Sequence, residues 1–418
     1  MDSKPDAMEK ATLQSKVIDK VAFLVHEPNM YSHYASVWAQ MPASSFSIVI
    51  LRRRQFEGPA AARGADDFMS RVTAAGYHYC YYEDLVKAGR KFKWVVSNHK
   101  LGGSTKYRAS IGVQLWSGVR NAVKYLLNVP GVLGGSGRKY EYSVGDAVQH
   151  PPLQIGFFQV RFMYGADIGD GWSLQDWNDI YDLFLCHGPN DVEQLGLKFK
   201  GKTAMMGYPR YDAYFDDELD TRSVVEEFGL DPQKKTLLWM STLGKGASSI
   251  PDYARAISGL FDEYNVIARP HPIAFRAEPE NIELLRSLNF KIDGNATRDM
   301  NSLYKVVDWV VCDYGGSSFG ALYLDINLLL LDVTGAESQF TIVNSSNIEI
   351  REHFSAVEQA DESAIRNLLH DAALWEAQKA VRANVSDKYF ANFRGTSSRR
   401  AAEILLNLDK ANPGETSH

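Results

Sequence analysis

Four short segments carry the side chains that could do chemistry, and three of them directly follow an apolar run. Arg269-Pro270-His271-Pro272 is the sharpest. Two prolines fix the backbone around the imidazole, and the arginine offers a planar cation suited to phosphate. A rigid turn with a satisfied surface histidine would read the same way. In Asp313-Tyr314-Gly315-Gly316-Ser317-Ser318-Phe319-Gly320 the glycines let an anion approach the backbone. Amides and hydroxyls where a helix starts can then bind its oxygens. One serine suffices for a helix cap, so two glycines and two serines favour phosphate binding. No Gly-Lys-Ser/Thr follows as in a Walker sequence, and no Gly-x-Gly-x-x-Gly follows a strand. Ser241-Thr242-Leu243-Gly244-Lys245-Gly246 reads equally as a second phosphate loop, with Lys245 as a point charge, or as a polar loop. Gly207-Tyr208-Pro209-Arg210-Tyr211-Asp212 makes a bend that projects Arg210 and Asp212, and a hinge is compatible with it.

These segments need a scaffold that brings loops together. Apolar runs at 20–26, 46–52, 94–97, 154–160 and 183–186 alternate with helical stretches such as 66–75 and 119–127. A loop rich in Gly, Ser and charge fills 131–150. A second series has strands at 235–240, 266–268, 309–312 and 328–331, with helices at 252–264, 278–288 and from 317 to 324. Strand and helix in alternation mean βαβ units and parallel sheets. The reading is α/β, with two Rossmann-like doubly wound domains facing a cleft. An acceptor-side domain covers 20–208, a connector 209–231 and a donor-binding domain 232–408, whose last helix packs back on the first domain. A polar leader (1–19) and a disordered tail (409–418) flank them. Ligands bind beyond the carboxyl ends of the strands in such sheets, and the four segments lie there.

Composition narrows the class. At 418 residues, 45% apolar and 23% charged, the chain is a soluble globular protein long enough for two cores. A net charge of −6 gives no basic field, so no nucleic-acid partner is expected. Cys80, Cys186 and Cys312 match no metal or redox spacing, and no metal site is expected. Residues 1–20 lack an apolar signal core and no apolar run reaches the ~18 residues of a membrane span, so the expected compartment is the cytoplasm.

In order along the chain, the segments resemble the CDP-glycerol glycerophosphotransferase family, the wall and capsule polyol-phosphate transferases of GT-B-type fold. Gly207 to Asp212 is similar to its Gly-Tyr-Pro-Arg/Lys-x-Asp turn, His271-Pro272 to its His-Pro pair, and 313–320 to its Asp-Tyr-Ser-Ser-x-x-Phe-Asp segment. The run 182–189 and Arg394-Gly395-Thr396-Ser397-Ser398-Arg399 resemble two further signatures. Coverage is good over 155–408. The family's Trp/Phe-His-Gly, whose histidine serves as general base, is matched only by Trp116-Ser117-Gly118 and Met163-Tyr164-Gly165, both without the histidine. Gly315-Gly316 and Gly320 also depart from the pattern.

The resemblance implies transfer of a polyol phosphate from a CDP-activated donor to a glycan or lipid-linked acceptor, with peripheral contact to the inner face of the membrane. No tightly bound cofactor is implied. His271 and Arg269 would serve the diphosphate, and Ser241, Thr242, Asp313, Gly315, Gly316, Ser317 and Ser318 the nucleotide. Tyr164, Gly165 and Arg210 would line the acceptor side. Asp212 and His26, the latter on the loop after the first strand, are the candidate bases. Two rivals remain: a transferase of CMP-activated Kdo or sialic acid, in which Asp212 is base or nucleophile, and a nucleotide-sugar-binding protein without turnover.

Overall fold

The computed structural model describes residues 17–52, 64–101, 150–170, 173–295, 298–339 and 341–409. The expected helix at 119–127, the loop at 131–149, Ser117 and all but the first residue of the tail lie outside them.

Seven parallel strands form the first sheet: β1 (Val17–Val25), β2 (Phe46–Ile50), β3 (Tyr79–Tyr81), β4 (Lys91–Ser97), β5 (Gly156–Phe162), β6 (Leu183–Cys186) and β7 (Lys202–Met205). Their order is β3-β2-β1-β4-β5-β6-β7. Six make the second: β8 (Thr236–Ser241), β9 (Asn265–Pro270), β10 (Lys291–Ile292), β11 (Trp309–Cys312), β12 (Asn327–Leu331) and β13 (Ala356–Val357), in the order β10-β9-β8-β11-β12-β13. Both are doubly wound. The strand order reverses between β1 and β4 in one sheet and between β8 and β11 in the other, which places the ligand crevices.

Central strands are continuous apolar runs because helices cover both faces; every residue of Phe46–Ile50 is buried. The outermost strands β3, β7, β10 and β13 are two to four residues long and half exposed, so no apolar run announces them. β1 starts three residues before the expected 20, inside the supposed leader. Val17 and Ile18 pair with Lys91 and Phe92 there, while the polar pattern around them reflects partial exposure. The segment between the sheets is anchored too: Tyr208, Tyr211, Val224 and Phe228 enter the core of the second sheet.

The chain then returns. The helix Ala372–Tyr389 ends against the first sheet's side, where the Ala391 amide donates to the His187 carbonyl at 2.9 Å. The last helix, Ser397–Leu406, buries Ala401, Ala402 and Leu405 in the same core as Phe23 and Phe46. Gly188 permits this crossing, because a Cβ there would stand 2.5 Å from both Phe390 Cα and the Tyr389 oxygen. Gly188→Ala should therefore act as overpacking against backbone that cannot retreat, lowering stability by about 1–3 kcal/mol. Thermal unfolding reads this; an unchanged midpoint would mean the crossing yields without cost.

Candidate active site at the cleft between the sheets

The loops expected to matter gather at the two switch points. After β8 and β11, Asp313 knits the second crevice together: Oδ1 accepts the Thr242 and Tyr314 amides, each at 2.8 Å, and Oδ2 accepts the Ser249 amide at 2.7 Å. Burial raises this carboxyl to about 6 against those bonds. Asp313 thus holds the loops and has no oxygen to spare. The Gly244 amide goes to Glu278 at 2.7 Å, and Gly244 and Gly246 take positive φ. Ser241 is buried, Thr242 partly, and Lys245 is exposed.

Gly315, at φ +107°, turns the chain into the helix Ser317–Tyr323. Its amide donates to Asn347 Oδ1 at 2.8 Å, and the buried Ser318 hydroxyl donates to the Gly315 carbonyl at 3.0 Å. Gly316 and Ser317 remain partly exposed at the crevice. Gly320 has a packing cause, since a Cβ would lie 2.8 Å from the Tyr211 hydroxyl and 3.0 Å from that of Tyr304.

His271 stands at the end of β9, its amide bonded to the Ser241 carbonyl at 3.1 Å. The Ile273 amide donates to Nδ1 at 3.2 Å, which leaves the proton of the neutral ring on Nε2. Burial first, and the Arg269 charge second, lower its pKa, so at neutral pH it is an uncharged donor. Arg269 itself is nearly enclosed and paired with Asp293, with further bonds of 3.2 Å to the Asn295 carbonyl. Its effect on a ligand is therefore field rather than contact. Arg210 is different: among the described residues its guanidinium makes no ion pair, and its charge reaches both Arg269 and His33.

Asp212 takes another place than a base would. Its oxygens accept the amides of Ser397 at 3.1 Å and Ser398 at 2.6 Å, at the start of the last helix. The Tyr208 amide donates to Ser397 Oγ at 3.0 Å, and Ser398 Oγ to the Pro209 carbonyl at 3.2 Å. Gly207, at φ +78°, fits because a Cβ would strike Ser397 Oγ at 2.3 Å. The Gly-Tyr-Pro turn and the C-terminal serine segment are thus two halves of one joint.

The first crevice holds a group of aromatic and imidazole rings. His26 and His99 lie 4.8 Å apart between centroids, and Tyr164 lies 5.4 Å from His33 and 6.1 Å from His99. His33 is enclosed, and desolvation followed by the charges of Arg210, His187, His26 and His99 pushes its pKa well down. Buried His187 places Nδ1 2.8 Å from Asp191 Oδ2. Asp167 lies between the crevices: a Cβ on Gly165 would stand 2.5 Å from its Oδ1, and one on Gly316 would stand 3.5 Å away. His33, His99 and Asp167 were missed in sequence because each sits outside a motif, and His187 because the run 182–189 that contains it gave no reason to single out its imidazole. Among the described residues no group of three His, Cys, Asp or Glu side chains is disposed to hold a metal ion.

A model of the CDP-glycerol:poly(glycerophosphate) glycerophosphotransferase family matches residues 195–325. Two doubly wound sheets with a returning C-terminal helix define the GT-B type, and with the family match the chain is a transferase. It is similar in fold to the wall teichoic acid polymerase TagF, at TM-score 0.59 and 12% identity, over 96% of this chain and 92% of that one. The UDP co-structure of MnaA from S. aureus aligns at TM-score 0.53 and 12% identity, over 94% and 97%. HepE of Anabaena, solved in complex with UDP and glucose, aligns at 0.50 and 10%, over 93% and 100%. No curated protein sequence matches the chain.

Removing the carboxylate of the joint should show its part in holding the fold. Asp212→Ala orphans two buried helix amides and should cost about 2–3 kcal/mol in unfolding free energy. Asp212→Asn keeps an acceptor and should cost less than half of that, with turnover within a few fold of the parent. A hundredfold loss of turnover in a stably folded Asp212→Asn protein would restore it as the base.

Proposed function

We propose that this transferase moves a glycerol- or ribitol-phosphate from a CDP-activated donor to a hydroxyl of a glycan or lipid-linked acceptor in cell-surface polymer synthesis. One observation carries the reading. The span matched by the family model contains every loop at the second switch point, with His271, Thr242, Gly316 and Ser317 around one crevice. That crevice takes the nucleotide and diphosphate, and the loops of the first sheet take the acceptor.

Phosphoryl transfer asks the protein mostly for position and charge. The acceptor oxygen attacks the β-phosphorus and CMP leaves with the bond's electron pair. His271, neutral with its proton on Nε2, donates a hydrogen bond to a diphosphate oxygen without adding charge. Arg210 supplies the cation in contact, while Arg269 contributes its field from behind Asp293. The hydroxyl of Ser317 and the backbone at Gly316 receive the leaving phosphate. The GT-B relatives bind other nucleotides, as the UDP in the MnaA and HepE structures records, so a CMP-sugar donor is the second reading.

A thermal-shift series with CMP, CDP, CDP-glycerol, CDP-ribitol, CMP-Kdo and UDP-sugars distinguishes the two, since a bound ligand raises the melting temperature by mass action. The CDP-polyols should stabilise most and release CMP. Stabilisation by CMP-Kdo alone transfers the assignment to the second reading. His271→Ala should leave the melting temperature unchanged and lower kcat/KM by about 30- to 1000-fold, the loss expected for one charge-stabilising donor. Normal turnover would make His271 a turn residue.

No helix among the described residues is long and apolar enough to cross a membrane. For a lipid-linked acceptor, exposed Arg394, Arg399 and Arg400 beside the joint offer a peripheral contact, although Arg394 also donates to Ser386 Oγ at 2.9 Å. Flotation with anionic vesicles at low salt should carry the protein upward. Its failure to float would leave a soluble acceptor.

A further inference from the structure

We propose that Asp167 is the general base that removes the proton of the acceptor hydroxyl. The inference rests on the transferase reading above and names the group that reading lacks. Position comes first. The loop after β5 carries Tyr164, Gly165 and Asp167 out of the first crevice, and the second half of the molecule pins it. The Ser346 amide donates to the Ile168 carbonyl at 2.8 Å, the Ser346 hydroxyl reaches the same oxygen at 3.2 Å, and Gly169 bridges to Ser345. So held, Asp167 Oδ1 lies 3.5 Å from where a Cβ on Gly316 would be. A hydroxyl presented from the first crevice to a phosphorus beside Gly316 passes this carboxylate.

Availability comes second. Of the carboxylates at the crevices, Glu278 accepts the Gly244 amide and the Asn281 side chain, Asp191 is fully buried against His187, and two more are consumed. Asp313 accepts three backbone amides and Asp212 accepts two. Among the described residues Asp167 bonds its own backbone amide and no other group, so it keeps an acceptor for an incoming proton. Gly165 secures the approach, since any Cβ there would collide with Oδ1.

Basicity comes third. Burial raises the Asp167 carboxyl to about 6; its own amide and His187 oppose that rise, and Asp191 adds to it. Tyr208, on which the Asp167 charge acts, stays protonated because its own pKa is pushed well up. A carboxylate near 6 is ionised at neutral pH and is a better base than an ordinary one. The step balances. Asp167 takes the proton, the acceptor oxygen bonds to the β-phosphorus, the bond to the bridging oxygen breaks, CMP departs with that electron pair, and Asp167 later yields its proton to water.

The test follows CMP released from CDP-glycerol and CDP-ribitol, with glycerol or water as hydroxyl source, in the full-length protein between pH 5 and 8. Parent activity should fall as pH drops through about 6, because the base becomes protonated. Asp167→Asn should keep the melting temperature and CMP affinity, yet release CMP at least about 100-fold more slowly, and the acid limb should vanish. Asp167→Glu keeps the carboxylate at another reach. It should retain more activity than the amide and shift the limb, which also covers an unstable Asn variant. If Asp167→Asn turns over within threefold of an active parent, the base lies elsewhere and the transferase reading stands. If the parent releases no CMP from either donor, the polyol-phosphate reading falls, and the proton assigned to Asp167 falls with it.

Discussion

The bond pair from the Ser397 and Ser398 amides to Asp212 is the constraint on which the rest depends. The first amides of a helix have no partner within it, and a buried helix start must find one elsewhere. Here the partner is a carboxylate on the segment leaving the first sheet. That choice fixes where the returning chain enters the first core, and so the spacing of the two sheets. Tyr208, Pro209 and Gly207 complete the joint from the same turn. Tyr208 also stacks its ring against Phe390, 5.8 Å away, where the returning helix ends.

Within the cleft, the same residue type does different work according to what its oxygens already hold. Asp313 and Asp167 are both raised to about 6 by burial, which alone does not distinguish them. Asp313 is surrounded by backbone donors, and its charge is used in shaping two loops. Asp167 bonds only its own backbone amide among the described residues. Cations divide likewise: Arg269 is enclosed by Asp293 and Asn295, whereas Arg210 forms no ion pair among the described residues. A perturbed group becomes a candidate for chemistry only once its hydrogen-bond capacity has been counted.

The tandem doubly wound architecture was legible because parallel strands buried on both faces are short apolar runs, as at 235–240, 309–312 and 328–331. The edge strands were not, since strands of two to four half-exposed residues carry no such run. Motif loops after β8, β9 and β11 were legible for a related reason: glycine, proline and serine cluster where a strand must turn at once. The histidines of the first crevice were less so. His33 lies inside the helix Tyr31–Trp38 with nothing in its neighbours to mark it, and only packing brings it to Tyr164.

By itself the amino-acid sequence determined the fold class and the positions along the chain of the loops rich in glycine, proline and serine. These are local properties, written in apolar periodicity and in residues that restrict the backbone. The tertiary structure alone decided which polar groups are occupied. It made Asp212 a helix cap, turned Arg269 onto Asp293, put the His271 proton on Nε2, and brought Asp167 against Gly316. These depend on contacts between segments from 24 to 185 residues apart, or on which lone pair a neighbouring amide takes. No local pattern encodes that, because a carboxylate has the same sequence whether its oxygens are full or free.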